Sequence, residues 1–157
     1  MSDLTFSDSV VVNADADTLY ALVSDVTRIG EWSPQCRACW WDEGGGPTVG
    51  SYFTGRNDDG KRTWETRSRV VAADPGREFS WVVNDGWVRW GFVLEPLENS
   101  DGGTRLTEHW SFEPAGIEGF RGRYGEKADE QIAIRTTAAK EGIPLTLAAI
   151  KRTVEGG

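Results

Sequence analysis

Sulfur and imidazole are scarce in this chain. Its 157 residues include two cysteines, one histidine and one methionine. Two cysteines cannot make the disulfide framework of a small secreted domain, and two Cys with one His fall short of the four ligands of a structural zinc site. Positive charge is also in the minority, with 17 Lys+Arg against 25 Asp+Glu and a net charge of −8. That balance argues against nucleic acid or an anionic membrane as the main partner, because both reward clustered positive charge. No apolar run approaches the ~20 residues that span a bilayer. The opening "MSDLTFSDSVVV" lacks the basic and apolar regions of a signal peptide, so a cytoplasmic location is the expectation. Neither G-x-S-x-G nor H-E-x-x-H occurs, and the glycines of "DEGGGP" are not followed by a helix as a phosphate loop requires. No motif implies a cofactor or a metal.

What the chain does have is tryptophan. Eight Trp outnumber six Phe and three Tyr. Each buries a large area yet carries an N–H that needs a partner, so this number points to an aromatic-walled cavity as well as to a packed core.

The pattern begins with a strand, "TFSDSVVV", and a helix, "NADADTLYALVSDV". In that helix Leu19, Leu22, Val23 and Val26 share one face, and Asp15 and Asp17 stand in the first turn. "TRIGEWSP" predicts a second short helix ended by Pro34. The period then changes to two. "CRACWWDE", "VGSYFTGRN", "KRTWETRSRVVAA", "REFSWVV", "WVRWGFVLEPL" and "TRLTEHWSFEP" alternate with Gly- and Asp-containing turns, which predicts an antiparallel meander. From Gly119 to the C-terminus, Phe120, Tyr124, Ala128 and Ile132 recur every four residues. A break or kink is expected at Gly142 and Pro144 before Leu147, Ile150 and Val154 resume the stripe. One α+β domain over residues 1–157 follows, with a sheet curved around a long C-terminal helix.

"VNADADTLYALVSDVTRIGEWSP", "VGSYFTGRN", "VVAADPGREFSWVV" and "GIPLTLAAIKRTVE" resemble the polyketide cyclase/dehydratase branch of the START-like (SRPBCC) superfamily. The resemblance covers nearly the whole chain. It implies the helix-grip fold: a seven-stranded curved antiparallel sheet, two short helices after the first strand, and a long C-terminal helix over a deep apolar cavity. Members of that superfamily include cyclases, lipid and sterol carriers, hormone receptors and chaperone activators, and they share no catalytic triad. No residue role transfers from the resemblance alone.

Strand alternation names the inward wall: Phe53 with Ser51 and Asn57, Trp64 with Thr66 and Ser68, Trp81 with Phe79, Trp90 with Phe92, and Trp110 with Phe112. Trp87 and Arg89 fall on the outer face. The resemblance to the helix-grip fold implies that Trp32, after the short helices, and Phe120 and Tyr124, early in the long helix, lie at the cavity mouth. Gly119, Gly122 and Gly125 are expected to make that mouth mobile. The candidate ligand-binding residues are thus Trp32, Phe53, Asn57, Trp64, Trp81, Trp90, Trp110, Phe112 and Phe120.

Glu108 and Tyr124 are the candidate catalytic groups. Glu108 shares the inward face of its strand with Leu106, Trp110 and Phe112, where burial would raise its pKa and fit it for acid–base work. The plainer expectation is a bulge or rim position from which it reaches solvent or an arginine. His109 falls on the opposite face and is expected to be exposed. Arg67, Arg69 and Arg89 with Glu65 and Glu78 are expected as cross-strand charge pairs on a solvated surface. Cys36 and Cys39 are spaced C-x-x-C, but three positions along a strand reverse the face. The two thiols are therefore expected to point apart, unable to pair or to grip one metal.

Two function classes remain open. One is binding or carriage of a hydrophobic, aromatic or polyketide/lipid-like small molecule. The other is a cofactor-independent cyclase or dehydratase that folds a reactive chain in the cavity. The polar outer faces give no sign of the apolar patch a protein-docking role would need, and monomer and homodimer are both open.

Overall fold

The computed structural model describes residues 4–98 and 103–156; residues 99–102 of the predicted "ENSDGG" turn lie outside the described residues. Strand β1 (Thr5–Val12) leads into α1 (Ala16–Val23). Asp15 is the N-cap of α1, not a first-turn residue: its Oδ1 accepts from the Thr18 N–H at 2.7 Å and satisfies one of the free donors of the helix end. A 3-10 segment, Val26–Glu31, is capped in the same way by Asp25 and delivers Trp32 to the interior. The meander follows as β2 (Cys36–Trp41), β3 (Tyr52–Asp58), β4 (Thr63–Asp74), β5 (Glu78–Val83), β6 (Val88–Pro96) and β7 (Thr104–Phe112). The chain ends in α2 (Pro114–Tyr124), a 3-10 turn (Gly125–Lys127) and α3 (Ala128–Glu155).

The strands form one antiparallel seven-stranded sheet in the order β1-β7-β6-β5-β4-β3-β2. From β2 to β7, neighbours in sequence pair with each other, and β1 closes the order by pairing with β7 from Thr5↔Ser111 to Val12↔Thr104. Registers stack the aromatic residues across the sheet. Trp81 faces Trp90 and Trp90 faces Trp110, while the next inward row holds Phe79, Phe92 and Glu108.

The long helical region differs from expectation in two places. It starts at Pro114, where proline suits the first helical turn, rather than at Gly119. The interruption falls at Gly125, with φ 56°, and α3 runs unbroken through Gly142 and Pro144. Pro144 and Lys140, whose carbonyl loses its helical partner, are both exposed, so water can satisfy the orphaned group that would otherwise force a kink. The third strand begins at Tyr52, later than the pattern "VGSYFTGRN" suggests, and Val49 lies before it and is exposed.

The packed core sits against the later turns of α3. Ile143, Leu147 and Ile150 are buried there, and the same core takes in Leu19, Val23 and Val26 from the helical connection and Val70, Phe79 and Leu106 from the sheet. The earlier turns of α3 present Arg135, Ala138, Ala139 and Gly142 to an unfilled space. Among the described residues no helix is long and apolar enough to cross a membrane.

Candidate functional site

A cavity of about 390 Å³ lies between the concave sheet face, α2, the first half of α3 and the loop after Trp32. This is within the ~300–1,000 Å³ range of small-molecule sites. The structure places all the sequence-derived candidates in its wall: Phe53, Asn57, Trp64, Trp81, Trp90, Glu108, Trp110 and Phe112 from the sheet, Trp32 from the loop, and Phe120 and Tyr124 from α2. Aromatic rings lock one another edge-on, with Phe53–Trp81 centroids 5.7 Å apart and Phe112–Phe120 5.0 Å apart. Asn57 is tied to its neighbour strand through Nδ2 to Thr66 Oγ1 at 3.3 Å.

Trp87 also lines the cavity, contrary to its assignment to the outer face. It precedes β6 and belongs to the turn in which Asn84, Asp85 and Gly86 take positive φ, so strand parity does not govern it. Its ring lies where a Cβ on Gly119 would come within 2.3 Å. Gly119 is therefore a close-packing position, and the expectation that it loosens the mouth is corrected.

Glu108 takes the inward position and not the rim. Its residue is 5% exposed, and its Oε1 has no hydrogen-bond partner. Burial alone pushes its carboxyl well above the ordinary range, with no neighbouring charge contributing. Burial thus favours the protonated carboxyl, the form that can donate a hydrogen bond to whatever fills the cavity.

Sequence reading missed the cationic rim. Arg62, from the β3–β4 turn, Arg123, from α2, and Arg135, from α3, all reach the cavity wall. Arg62 and Arg135 stand over Trp64 at 4.7 and 5.7 Å, Arg135 also over Phe120 at 5.5 Å, and Arg123 over Trp87 at 5.2 Å. None of the three forms an ion pair among the described residues. Aromatic faces hold the guanidinium planes without neutralising them. Burial would raise the Tyr124 phenol, but Arg135, Arg62 and Arg123 bring it below its usual value. The outer-face arginines behave differently, since Arg89 pairs with Glu78 and Arg67 with Asp42.

Two further expectations are corrected. His109 is half-buried, with Nε2 3.2 Å from Ser80 Oγ, and burial followed by the Arg89 charge lowers its pKa. Cys36 and Cys39 do not point apart: their sulfurs lie 3.0 Å from each other in the cavity wall. A register shift between Cys36 and Ala38 inserts one residue, which restores both thiols to one face. Among the described residues, no three His, Cys, Asp or Glu side chains are grouped to hold a metal ion.

A curved antiparallel sheet gripping a long helix over an internal cavity defines a START-like, helix-grip domain. The chain belongs to the polyketide cyclase/dehydrase and lipid transport family, whose model matches residues 3–142. It is similar to the Polyketide_cyc-like protein Cgl2372 from Corynebacterium glutamicum, at 53% identity over 98% of this chain and 93% of that one, with a TM-score of 0.70. The fold is shared with a START superfamily protein from Mycobacterium smegmatis, at 18% identity over 97% of each chain and a TM-score of 0.68. It is shared too with the di-domain ARO/CYC BexL from the BE-7585A biosynthetic pathway, at 18% identity and a TM-score of 0.66, covering 96% of this chain and 46% of that one. No curated protein matches the chain.

Proposed function

We propose that the protein binds an apolar, aromatic or polyketide-like small molecule that carries an anionic group. The observation that carries this reading is the pairing of an aromatic cavity with three arginines at its rim that form no contact ion pair among the described residues, Asp59 acting on Arg62 and Arg135 only at longer range. The aromatic wall supplies area for a flat apolar body, and the arginines with the Tyr124 hydroxyl supply donors, charge-assisted in the case of the arginines, for a carboxylate, phenolate or phosphate. A rim of this sign inside a chain of net charge −8 also orients an incoming anion toward one opening.

A second reading, catalysis, is favoured by Glu108. A protonated carboxyl inside the cavity can give its proton to a carbonyl oxygen of a bound chain as an α-carbon of the same chain attacks that carbonyl. The C=O π bond breaks, a C–C bond and a hydroxyl form, and the proton released from the α-carbon restores the acid through solvent, the acid half of an aldol-type cyclisation. The membership of a family described by both cyclase and lipid-transport activities is compatible with either reading.

The test uses fluorescence titration with two aromatic probes of similar shape, anilinonaphthalene sulfonate and the uncharged N-phenylnaphthylamine. The sulfonate is expected to bind more tightly. Arg135→Met, which keeps the apolar stem, is expected to weaken the sulfonate about tenfold, about 1.4 kcal/mol, and to leave the neutral probe unchanged. Equal affinities for the two probes, or an equal loss for both, would remove the anionic-group assignment.

A further inference from the structure

The bulge in β2 has a chemical consequence. It turns a C-x-x-C spacing that regular strand geometry would separate into a facing dithiol, with the Cys36 and Cys39 sulfurs 3.0 Å apart. Room for both sulfurs comes from the adjacent strand. Gly55 pairs with Cys39 across β2 and β3, and a Cβ there would lie 3.2 Å from the Cys39 sulfur and 3.6 Å from the Cys36 sulfur. An S–S bond is about 2 Å long, so closing it brings the two facing sulfurs about 1 Å nearer each other.

The two thiols differ as an attacking and a resolving group differ. Cys36 is half-buried, and Cys39 is 8% exposed. The contact with the Cys39 sulfur lowers the Cys36 pKa, while the same contact and burial raise that of Cys39. The thiolate population, and so the nucleophile, resides on the more accessible sulfur.

We infer that Cys36 and Cys39 form a redox-active dithiol in the cavity wall, a modification site for low-molecular-weight disulfides of the glutathione class. The Cys36 thiolate attacks one sulfur of the disulfide RSSR. A Cys36–SR bond forms, the S–S bond of the reagent breaks, and RS⁻ leaves. Cys39 then attacks the Cys36 sulfur as its proton passes to solvent, the Cys36–SR bond breaks, and a second RS⁻ leaves. The two thiol protons end on the two released thiols, so that two cysteines are oxidised and one RSSR is reduced to two RSH. This site stands on the sulfur geometry and is independent of what the cavity binds.

The experiment equilibrates the full chain with mixtures of oxidised and reduced glutathione. Samples are quenched in acid, alkylated, and their intact mass is read without reductant. The expected product has lost two hydrogens, carries neither glutathione nor alkyl groups, and returns to a doubly alkylated species after dithiothreitol. Cys39→Ser should stop at one glutathionyl group on Cys36. Cys36→Ser should react more slowly by about tenfold or more, because only the buried thiol is left. Circular dichroism of both variants checks that they fold. A wild-type chain that accumulates a stable glutathionyl adduct, forms disulfide-linked dimers, or stays doubly alkylated in mixtures that fully oxidise dithiothreitol would overturn the inference.

Discussion

Replacing Glu108 with glutamine changes little in shape and removes one ionisable proton, so its effect should depend on pH in a way that shape alone cannot. In the unfolded chain the Glu108 carboxyl titrates near about 4.3, the ordinary value. In the folded chain burial holds its pKa well above that. Below the ordinary value both states are protonated and the group contributes nothing to the pH dependence. As pH rises past it, the unfolded chain releases its proton while the folded chain keeps it. Wild-type stability therefore falls by about 1.4 kcal/mol for each pH unit until the folded group itself ionises. Against a total of about 5–15 kcal/mol for a domain, that slope is large. Glu108→Gln cannot lose a proton and should lack it. The amide adds its own unpartnered N–H₂, a cost of about 1–3 kcal/mol that does not vary with pH. The diagnostic is therefore the change in the wild-type minus variant difference across pH, not its value at one pH. Urea denaturation of both proteins at steps between about pH 5 and about pH 8 reads it directly, and titrations shared by the two proteins, including the depressed His109, cancel in the difference. A difference that stays constant over that range would refute a buried, neutral Glu108 and the acid role built on it.

Gly119→Ala should destabilise by about 1–3 kcal/mol through overlap with the Trp87 ring, whereas Gly122→Ala, which meets open space, should be neutral or stabilise by up to about 1 kcal/mol; denaturation midpoints separate the two. Pro144→Ala should stabilise by about 1–3 kcal/mol, because it restores a hydrogen bond at an exposed position in α3 without removing core contacts; thermal melting checks it. Ala138→Leu, directed into the cavity from α3, should hold or raise the melting temperature while abolishing binding of anilinonaphthalene sulfonate. A loss of stability would mean that the space cannot accept a side chain.

Much of this architecture could be read from period alone, and the failures have local causes. Strand parity put Phe53, Trp64, Trp81, Trp90, Glu108 and Trp110 on one face, and the registers across β5, β6 and β7 place Trp81, Trp90 and Trp110 in one row. Parity counts residues, so it fails where a residue is inserted or a strand has not yet begun. The bulge after Cys36 reversed the reading of the thiols, and the turn at Asn84–Gly86 reversed that of Trp87. One signal for the bulge was available: Gly55, inside an otherwise well-formed strand pattern, marks a place where something approaches closely, and the two sulfurs occupy it. The arginine rim had no comparable signal. Arg62, Arg123 and Arg135 come from a turn and two helices, and only the wrap of α2 and α3 against the sheet brings them to one opening.

Three features that work against folding converge in one region. A close-packed interior would fill the space beside Ala138, Ala139 and Gly142 as it fills the space beside Leu147 and Ile150 on the same helix. A buried carboxyl would acquire a partner, as Thr104 acquires the Ala14 carbonyl at 2.7 Å. Rim arginines in a chain richer in carboxylates would pair, as Arg28 does with Glu31 and Arg89 with Glu78. Each departure alone is tolerable, and each has counterparts elsewhere, such as the buried Tyr20 hydroxyl without a partner. The unfilled volume, the unpartnered Glu108 and the three arginines nevertheless share one wall. A ligand with an apolar body, an oxygen for Glu108 and an anionic group for the arginines would satisfy all three together, which is why the cavity is read as a site and not as a defect of packing.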